Sequence, residues 1–274
     1  MKHTDTPNTD RPKVSHASEH TAELRNAAIR IAQSGAEMSQ KYFRAPLGIE
    51  LKADESPVTQ ADRAVEAEIR RLLQQDFPGD GILGEEFEAR ETQTGALWII
   101  DPIDGTRSFI SGHPLYGLLL GRMLRGQMQA SVVSLPALDE TYAAARGHGS
   151  TLNGAPLTAS TCTDLSRAML YINEGEKIWR TAPDVFARLM DAGSNRRFSY
   201  DCAPYMLLAA GHIDAVVDCG LQPYDVLPVS LLVEEAGGVM TDWSGQKTGL
   251  QNDVNIVAAA TPELHAQLLA LLVS

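Results

Sequence analysis

The stretch Trp98-Ile99-Ile100-Asp101-Pro102-Ile103-Asp104-Gly105-Thr106 decides how this chain is read. Three apolar residues mark the end of a buried strand, and two carboxylates three positions apart follow, with glycine and threonine directly behind them. Carboxylates at the end of a core strand are costly to desolvate unless something positive meets them. A divalent cation is the economical partner, because carboxylate oxygens are the ligands Mg2+ prefers. Pro102 stiffens the turn between the acids, so the backbone sets their separation. Gly105 allows a ligand close to the main chain, and Thr106 offers a hydroxyl and an N-cap for a following helix. A helix start beside a metal is where a phosphate would sit. An ordinary turn built on Asp-Pro and Asp-Gly accounts for the same residues taken alone.

The bulk properties narrow the choice. With 274 residues, 44% of them hydrophobic and 21% charged, the chain has the composition of a globular protein with a sizeable core. Its formal net charge of −12 argues against non-specific binding to nucleic acid or to an anionic membrane. No apolar run is long enough to span a bilayer. Cys162, Cys202 and Cys219 are widely spaced and form no Cys-x-x-Cys pair, which suits a reducing compartment, and a cytoplasmic location is expected. Residues 1–18 are polar, lack the apolar centre of a signal peptide and are expected to form a disordered tail.

Helical spacing of apolar residues predicts a helix over 21–43 and a second from about 59 to 77, with Thr59 as its N-cap and Asp62 at the third helical position. Residues 82–84 lead as a short apolar segment into the acid pair Glu85-Glu86, and 96–100 form the strand of the opening motif. Apolar runs over 115–123 and 128–135, joined by a glycine-containing turn, predict a hairpin, and strands follow at 141–145 and 150–152. Beyond residue 155, strands and helices alternate, and Asp225 reads as the N-cap of an apolar helix over 226–236. There is no internal repeat and no linker. The expected organisation is an N-terminal α+β half over 19–155 that carries most of the acids, and a C-terminal α/β half over 156–274 that carries Asp225.

Asp62, Glu85, Asp101, Asp104 and Asp225 therefore all stand at strand ends or helix starts. Together they suit a carboxylate cage for divalent ions, and a pair of such ions about 3.5–4 Å apart would clamp the oxygens of a phosphoryl displacement.

The opening motif, together with Tyr224-Asp225 through Glu235-Ala236-Gly237-Gly238, Ser56-Pro57-Val58-Thr59-Gln60-Ala61-Asp62 and Gly84-Glu85-Glu86, resembles the inositol monophosphatase-like, Mg2+-dependent, lithium-sensitive phosphatases. The resemblance runs from about residue 21 to the end. It implies a layered αβαβα sandwich, two or three Mg2+ ions at the site between the two halves, and a homodimer. It also implies that Glu85, Asp101 and the main-chain oxygen of Ile103 hold one ion, and that Asp101, Asp104 and Asp225 hold the second. Glu85 with water would hold a third. Asp62 and Thr106 would orient and deprotonate the attacking water, while Gly105 and Thr106 would give N–H groups to the phosphate. Glu85 is chosen over Glu86 because the family's ligand directly follows glycine. Lys52 is a looser match to a lysine near the phosphate.

The segments Arg107-Ser108-Phe109-Ile110, Asp201-Cys202 and Leu221-Gln222-Pro223-Tyr224 look like the histidinol-phosphate phosphatase branch. Asp218 replaces the usual substrate-contacting Glu, Tyr224 replaces a common Trp, and 173–181 match neither branch. Arg107, Asp201 and Asp218 are the expected substrate contacts, the two acids suiting a cationic substrate. The expected activity is phosphomonoester hydrolysis, with L-histidinol phosphate as the substrate. The alternatives are inositol monophosphate or a broad range of small phosphate esters, a non-catalytic metal- and phosphate-binding relative, and a structural Ca2+-binding protein.

Overall fold

The structure is a computed structural model and describes residues 16–46, 49–51 and 57–273. In chain order the elements are α1 (His16–Tyr42), β1 (Ile49–Leu51), β2 (Pro57–Thr59), α2 (Gln60–Asp76), β3 (Gly81–Gly84), β4 (Ala96–Asp104) and α3 (Thr106–Ser111). β5 (Gly117–Leu124), β6 (Gln127–Leu135), β7 (Glu140–Ala145), β8 (Ser150–Leu152), β9 (Ala155–Pro156) and β10 (Met169–Asn173) follow. The chain closes with α4 (Gly175–Thr181), α5 (Pro183–Asp191), β11 (Asn195–Ser199), α6 (Ala203–Ala209), β12 (Ala215–Leu221), α7 (Pro223–Glu235), β13 (Val239–Asp242), β14 (Val254–Ala259) and α8 (Pro262–Val273).

β1 and β2 form a small antiparallel pair, and the other strands form two sheets. The larger runs β3-β4-β5-β6-β7-β8-β9, antiparallel except for the β3–β4 pair. The smaller runs β11-β10-β12-β14-β13, with β14 antiparallel to both of its neighbours. The second half is thus a mixed sheet.

Strand alternation explains the layering. Trp98, Ile100, Leu118, Leu120 and Val132 point to one face of the large sheet and pack on Ala28, Ile31, Val65 and Ile69 of α1 and α2. Their neighbours Ile99, Leu119 and Val133 point the other way, towards Tyr205, Leu208, Val229 and Val233 of α6 and α7. The same cluster takes in Val216 and Ile256 of the small sheet, so α6 and α7 are enclosed between two sheets. A helix buried on all sides is apolar nearly all round, as the buried run from Val226 to Val233 is, with Ser230 its one polar residue. On the far side of the small sheet, Leu170, Ile172 and Val257 meet Ile178, Leu189, Leu264 and Leu268 of α4, α5 and α8. The result is the expected αβαβα sandwich.

Local differences from the sequence expectation have simple causes. Residues 16–18, assigned to the tail, belong to α1, while 1–15 lie outside the described residues. Lys52 and the side chain of Thr59 also lie outside them. The strand expected over 96–100 continues through both acids to Asp104, because β5 goes on pairing with it. Residues 173–181 contain α4, which is too short to show a helical period.

One buried charge ties β3, β4 and β5 together upstream of the acids. Asp80, only 4% exposed, accepts hydrogen bonds from Arg122 Nε (2.8 Å), Trp98 Nε1 (3.1 Å) and Thr94 Oγ1 (2.6 Å). Burial alone would raise its carboxyl, but the bonds from Arg122 and Thr94 and the guanidinium charge hold it below the usual carboxylate range. A carboxyl depressed in the folded state stabilises above its unfolded pKa, and that stability is lost as pH falls through the folded value. Asp80→Ala, which leaves buried Arg122 unpaired, should cost about 3–5 kcal/mol in urea unfolding near neutral pH. The difference from the unaltered protein should shrink below the ordinary carboxylate range, and a pH-independent difference would remove the ionic part of this account.

Candidate metal centre

The register of β4 against β5 brings two of the acids together. In a regular strand, residues three apart point to opposite faces. Here Asp101 pairs with Leu119 and Asp104 with Gly117, so three steps on β4 lie opposite two on β5. This bulge reverses the alternation between the two acids. Asp101 follows Ile99 towards α7, Ile103 turns back to pack on Ala61, Phe109 and Tyr116, and Asp104 faces the same side as Asp101. Pro102 sits in the bulge, where its missing N–H costs no ladder bond.

α7 supplies the third carboxylate. Gln222, not Asp225, is the N-cap, and Asp225 stands at the third helical position with Pro223 opening the helix. Asp225 Oδ2 accepts the Gln222 N–H at 2.8 Å, which fixes the side chain at the buried helix start. Carboxylate oxygens of Asp101, Asp104 and Asp225 all lie within 4.8 Å of one another. No lysine or arginine among the described residues forms an ion pair with any of the three.

The electrostatics follow from that arrangement. Burial, then the charges of Glu85, Asp104 and Asp225, pushes the Asp101 carboxyl well above its ordinary value. Burial, then Asp201 and Asp225, does the same to Asp104, although the Cys202 N–H bonded to its Oδ2 at 2.5 Å opposes the shift. Asp225 is pushed up to about 7, chiefly by burial. Three desolvated carboxylates aimed at one point have the donor chemistry of a hard divalent cation, which would remove both the repulsion and the desolvation cost. The residues fit such an ion.

A cavity of about 200 Å³ opens over the cluster and is lined by Glu85, from the loop after β3, as well as by Gly105, Thr106, Asp201 and Asp218. Asp62 is fully buried in the first turn of α2. The Thr106 hydroxyl lies 3.1 Å from Asp62 Oδ1 and 3.3 Å from the Ile103 carbonyl, so threonine and aspartate meet as a pair at the edge of the acids. Gly105 has the left-handed φ of 80°, and a Cβ there would overlap the Asp201 carboxylate. Asp201 is held by the Ser108 hydroxyl at 2.5 Å. Asp218 accepts from Asn173 Nδ2 (3.0 Å), Tyr205 Oη (2.9 Å) and the Cys219 N–H (2.8 Å), yet burial still raises it to about 6.

Arg107 is not part of this cavity. It is exposed and lines an adjoining hollow with Ser108, His113, Tyr200 and Glu176. Glu174 and Lys177 also line the cavity, without a signal of their own in the sequence. Glu174 borders both the cavity and the hollow, has a left-handed φ of 47°, and receives no hydrogen bond on its carboxylate from any described residue. Burial, then Asp218 and Glu176, raises it to about 7. Lys177, one turn into α4, reaches the Gly220 carbonyl at 2.9 Å and brings a cation to the cavity wall. A non-glycine residue in a left-handed conformation carries no clear sequence signature, and only the unmatched segment 173–181 pointed here. Cys202 also lines the cavity, and burial, then Asp104, raises its thiol well above the ordinary value.

The comparisons with known proteins agree with this geometry. Residues 20–274 match the model of the inositol monophosphatase family. The chain is 39% identical to a histidinol-phosphatase of Chlorobaculum parvum over 81% of this chain and 86% of that protein. It is 34% identical to the bifunctional phosphatase IMPL2, chloroplastic, of Arabidopsis thaliana, over 96% of this chain and 80% of that protein. Among solved structures, an inositol monophosphatase from Zymomonas mobilis superposes with a TM-score of 0.83 at 31% identity, covering 95% of this chain and all of that one. The chain belongs to the inositol monophosphatase family and is a phosphoric monoester hydrolase.

Proposed function

We propose that this protein is a Mg2+-dependent phosphomonoesterase whose substrate is L-histidinol phosphate. The observation that carries the metal-dependent hydrolysis is the Asp101, Asp104, Asp225 cluster with the Asp62–Thr106 pair at its edge. Asp101, Glu85 and the Ile103 carbonyl would hold a first ion, Asp101, Asp104 and Asp225 a second, and Glu85 with water a third. When bound, such ions supply Lewis-acid stabilisation of the phosphoryl charge and acidify water.

The chain's own residues do the rest. Asp62, buried and paired with Thr106 Oγ1, takes the proton that the attacking water gives up, with the threonine hydroxyl fixing the line of approach. The Gly105 and Thr106 N–H groups, at the unpaired first turn of α3, receive the phosphate oxygens. Gly105, with no side chain, lets the Asp201 carboxylate pack against the main chain there. A scaffold that only bound metal would have no use for the Asp62–Thr106 pair.

The acidic wall supports the choice of ester. Glu174 presents a half-buried carboxylate that accepts no hydrogen bond from a described residue and is close enough to Asp218 and Asp201 to feel both charges. Such acids suit the ammonium and imidazole of histidinol, whereas inositol offers only hydroxyls. The likeness to the Chlorobaculum parvum histidinol-phosphatase supports the same branch. Inositol monophosphate is the second reading, favoured by the likeness to the Zymomonas mobilis enzyme.

Phosphate release from a panel of esters with Mg2+ tests the assignment: histidinol phosphate should give the highest kcat/KM, and a higher value for inositol 1-phosphate would overturn it. Glu174→Gln should lower kcat/KM for histidinol phosphate by about tenfold and leave inositol 1-phosphate within about twofold, the worth of one charged hydrogen bond. Asp62→Asn should cut kcat by about 10²–10⁴-fold with little change in Mg2+ binding by calorimetry; unchanged turnover would remove Asp62 from the mechanism. Li+ should inhibit initial rates by taking the second ion's position, and full activity at high Li+ would count against that mechanism.

A further inference from the structure

Glu66 is fully buried one turn after Asp62 on α2. A buried carboxylate needs partners, and those of Glu66 lie around Glu85. Its Oε2 accepts the Glu86 N–H at 2.7 Å, the peptide group that immediately follows Glu85. Its Oε1 accepts from Arg70 Nε at 2.7 Å, one helical turn further on. Arg70 in turn donates through Nη2 to the Phe87 carbonyl at 3.0 Å, and its guanidinium lies 5.6 Å from the centre of the Phe87 ring. On the other side of Glu85, the Glu66 carboxylate packs so closely on Gly84 that a Cβ there would overlap it. The residues at 84, 86 and 87 are therefore all held from α2, and Glu85 is the residue between the held points.

We propose that Glu66, braced by Arg70, is a positioning residue for the metal ligand Glu85. This inference rests on the proposed role of Glu85 at the metal centre. The loop after β3 has no regular ladder over 85–87 to fix its path, and the α2 clamp takes that part. The clamp also gives α2 two tasks one turn apart: Asp62 faces the Thr106 hydroxyl, and Glu66 fixes the loop that brings Glu85 to the cavity. A partner of a metal ligand changes metal affinity when removed, typically by about 10–100-fold, without touching the substrate.

The test is Mg2+ titration by calorimetry without substrate, set beside the Mg2+ dependence of turnover, for folded variants checked by circular dichroism. Glu66→Ala should weaken Mg2+ binding and raise the Mg2+ needed for half-maximal rate by about tenfold or more. The rate at saturating Mg2+ should stay within a few-fold of the unaltered enzyme. Glu66→Gln keeps an acceptor for the Glu86 N–H and should restore most of the affinity. Glu68→Ala, on the same helix but bonded to Ser34 and Arg71, should leave the titration unchanged. If Glu66→Ala does not fold, Gly84→Ala gives the same readout, since its methyl displaces the Glu66 carboxylate without deleting a buried charge. Native Mg2+ affinity in a folded Glu66→Ala or Gly84→Ala variant would overturn the inference alone. An unaltered protein that binds no Mg2+ would overturn the metal reading and the inference with it.

Discussion

Three carboxylates desolvated within reach of one another are the constraint on which the rest of this structure depends. Asp101, Asp104 and Asp225 come from two elements in different layers, a strand of the large sheet and the helix enclosed between the sheets. Each is held by a backbone N–H, from Ile103, Cys202 and Gln222 respectively. Those bonds orient the acids but do not neutralise them. No lysine or arginine among the described residues pairs with them, so the fold holds a concentrated negative potential that a small hard cation would relieve. The sandwich can carry this cost because its large apolar clusters on either side lock β4 and α7 in place.

The bulge in β4 shows how local backbone geometry creates chemistry. Without it Asp104 would point towards α1 and α2, into apolar packing. With it, Ile103 takes that apolar position and its carbonyl and the next acid turn to the cavity. α2 makes the complementary contribution. Its apolar face anchors it through Val65, Ile69 and Leu73, while its first two turns offer Asp62 and Glu66 to the two segments that approach the cavity.

The cavity divides by charge environment. Gly105 and Thr106 border the cluster, with the Asp201 carboxylate packed against Gly105. Asp218 is saturated by Asn173, Tyr205 and its neighbour's N–H, while Glu174 accepts no hydrogen bond from a described residue. A saturated acid shapes the wall, and an unsatisfied one waits for a partner. That distinction makes Glu174 a better candidate for selecting a cationic ester than Asp218, although only Asp218 stood out by position along the chain.

Much of this was legible before any coordinates. Apolar periodicity located α1, α2 and the β5–β6 hairpin, and acids at strand ends and helix starts marked Asp62, Glu85, Asp101, Asp104 and Asp225 as one set, because a carboxylate beside an apolar segment is costly to desolvate without a positive partner. What local sequence could not settle was direction. Whether Asp101 and Asp104 share a face depends on how β4 pairs with β5, and a three-residue spacing by itself predicts that they do not. Asp225 reads as a cap, but only the start of α7 shows it one turn inside, with Gln222 in the capping place. Arg107 follows the motif in sequence yet turns outward with α3, whereas Glu174 and Lys177, far along the chain, come to the cavity through the short helix α4. Glu66 looked like one more polar residue on an amphipathic helix, because its partners lie about 20 residues away in a loop. Residue type and spacing determined that a carboxylate-rich site suited to a cation is present; pairing register and helix placement between sheets decided which side chains meet in it.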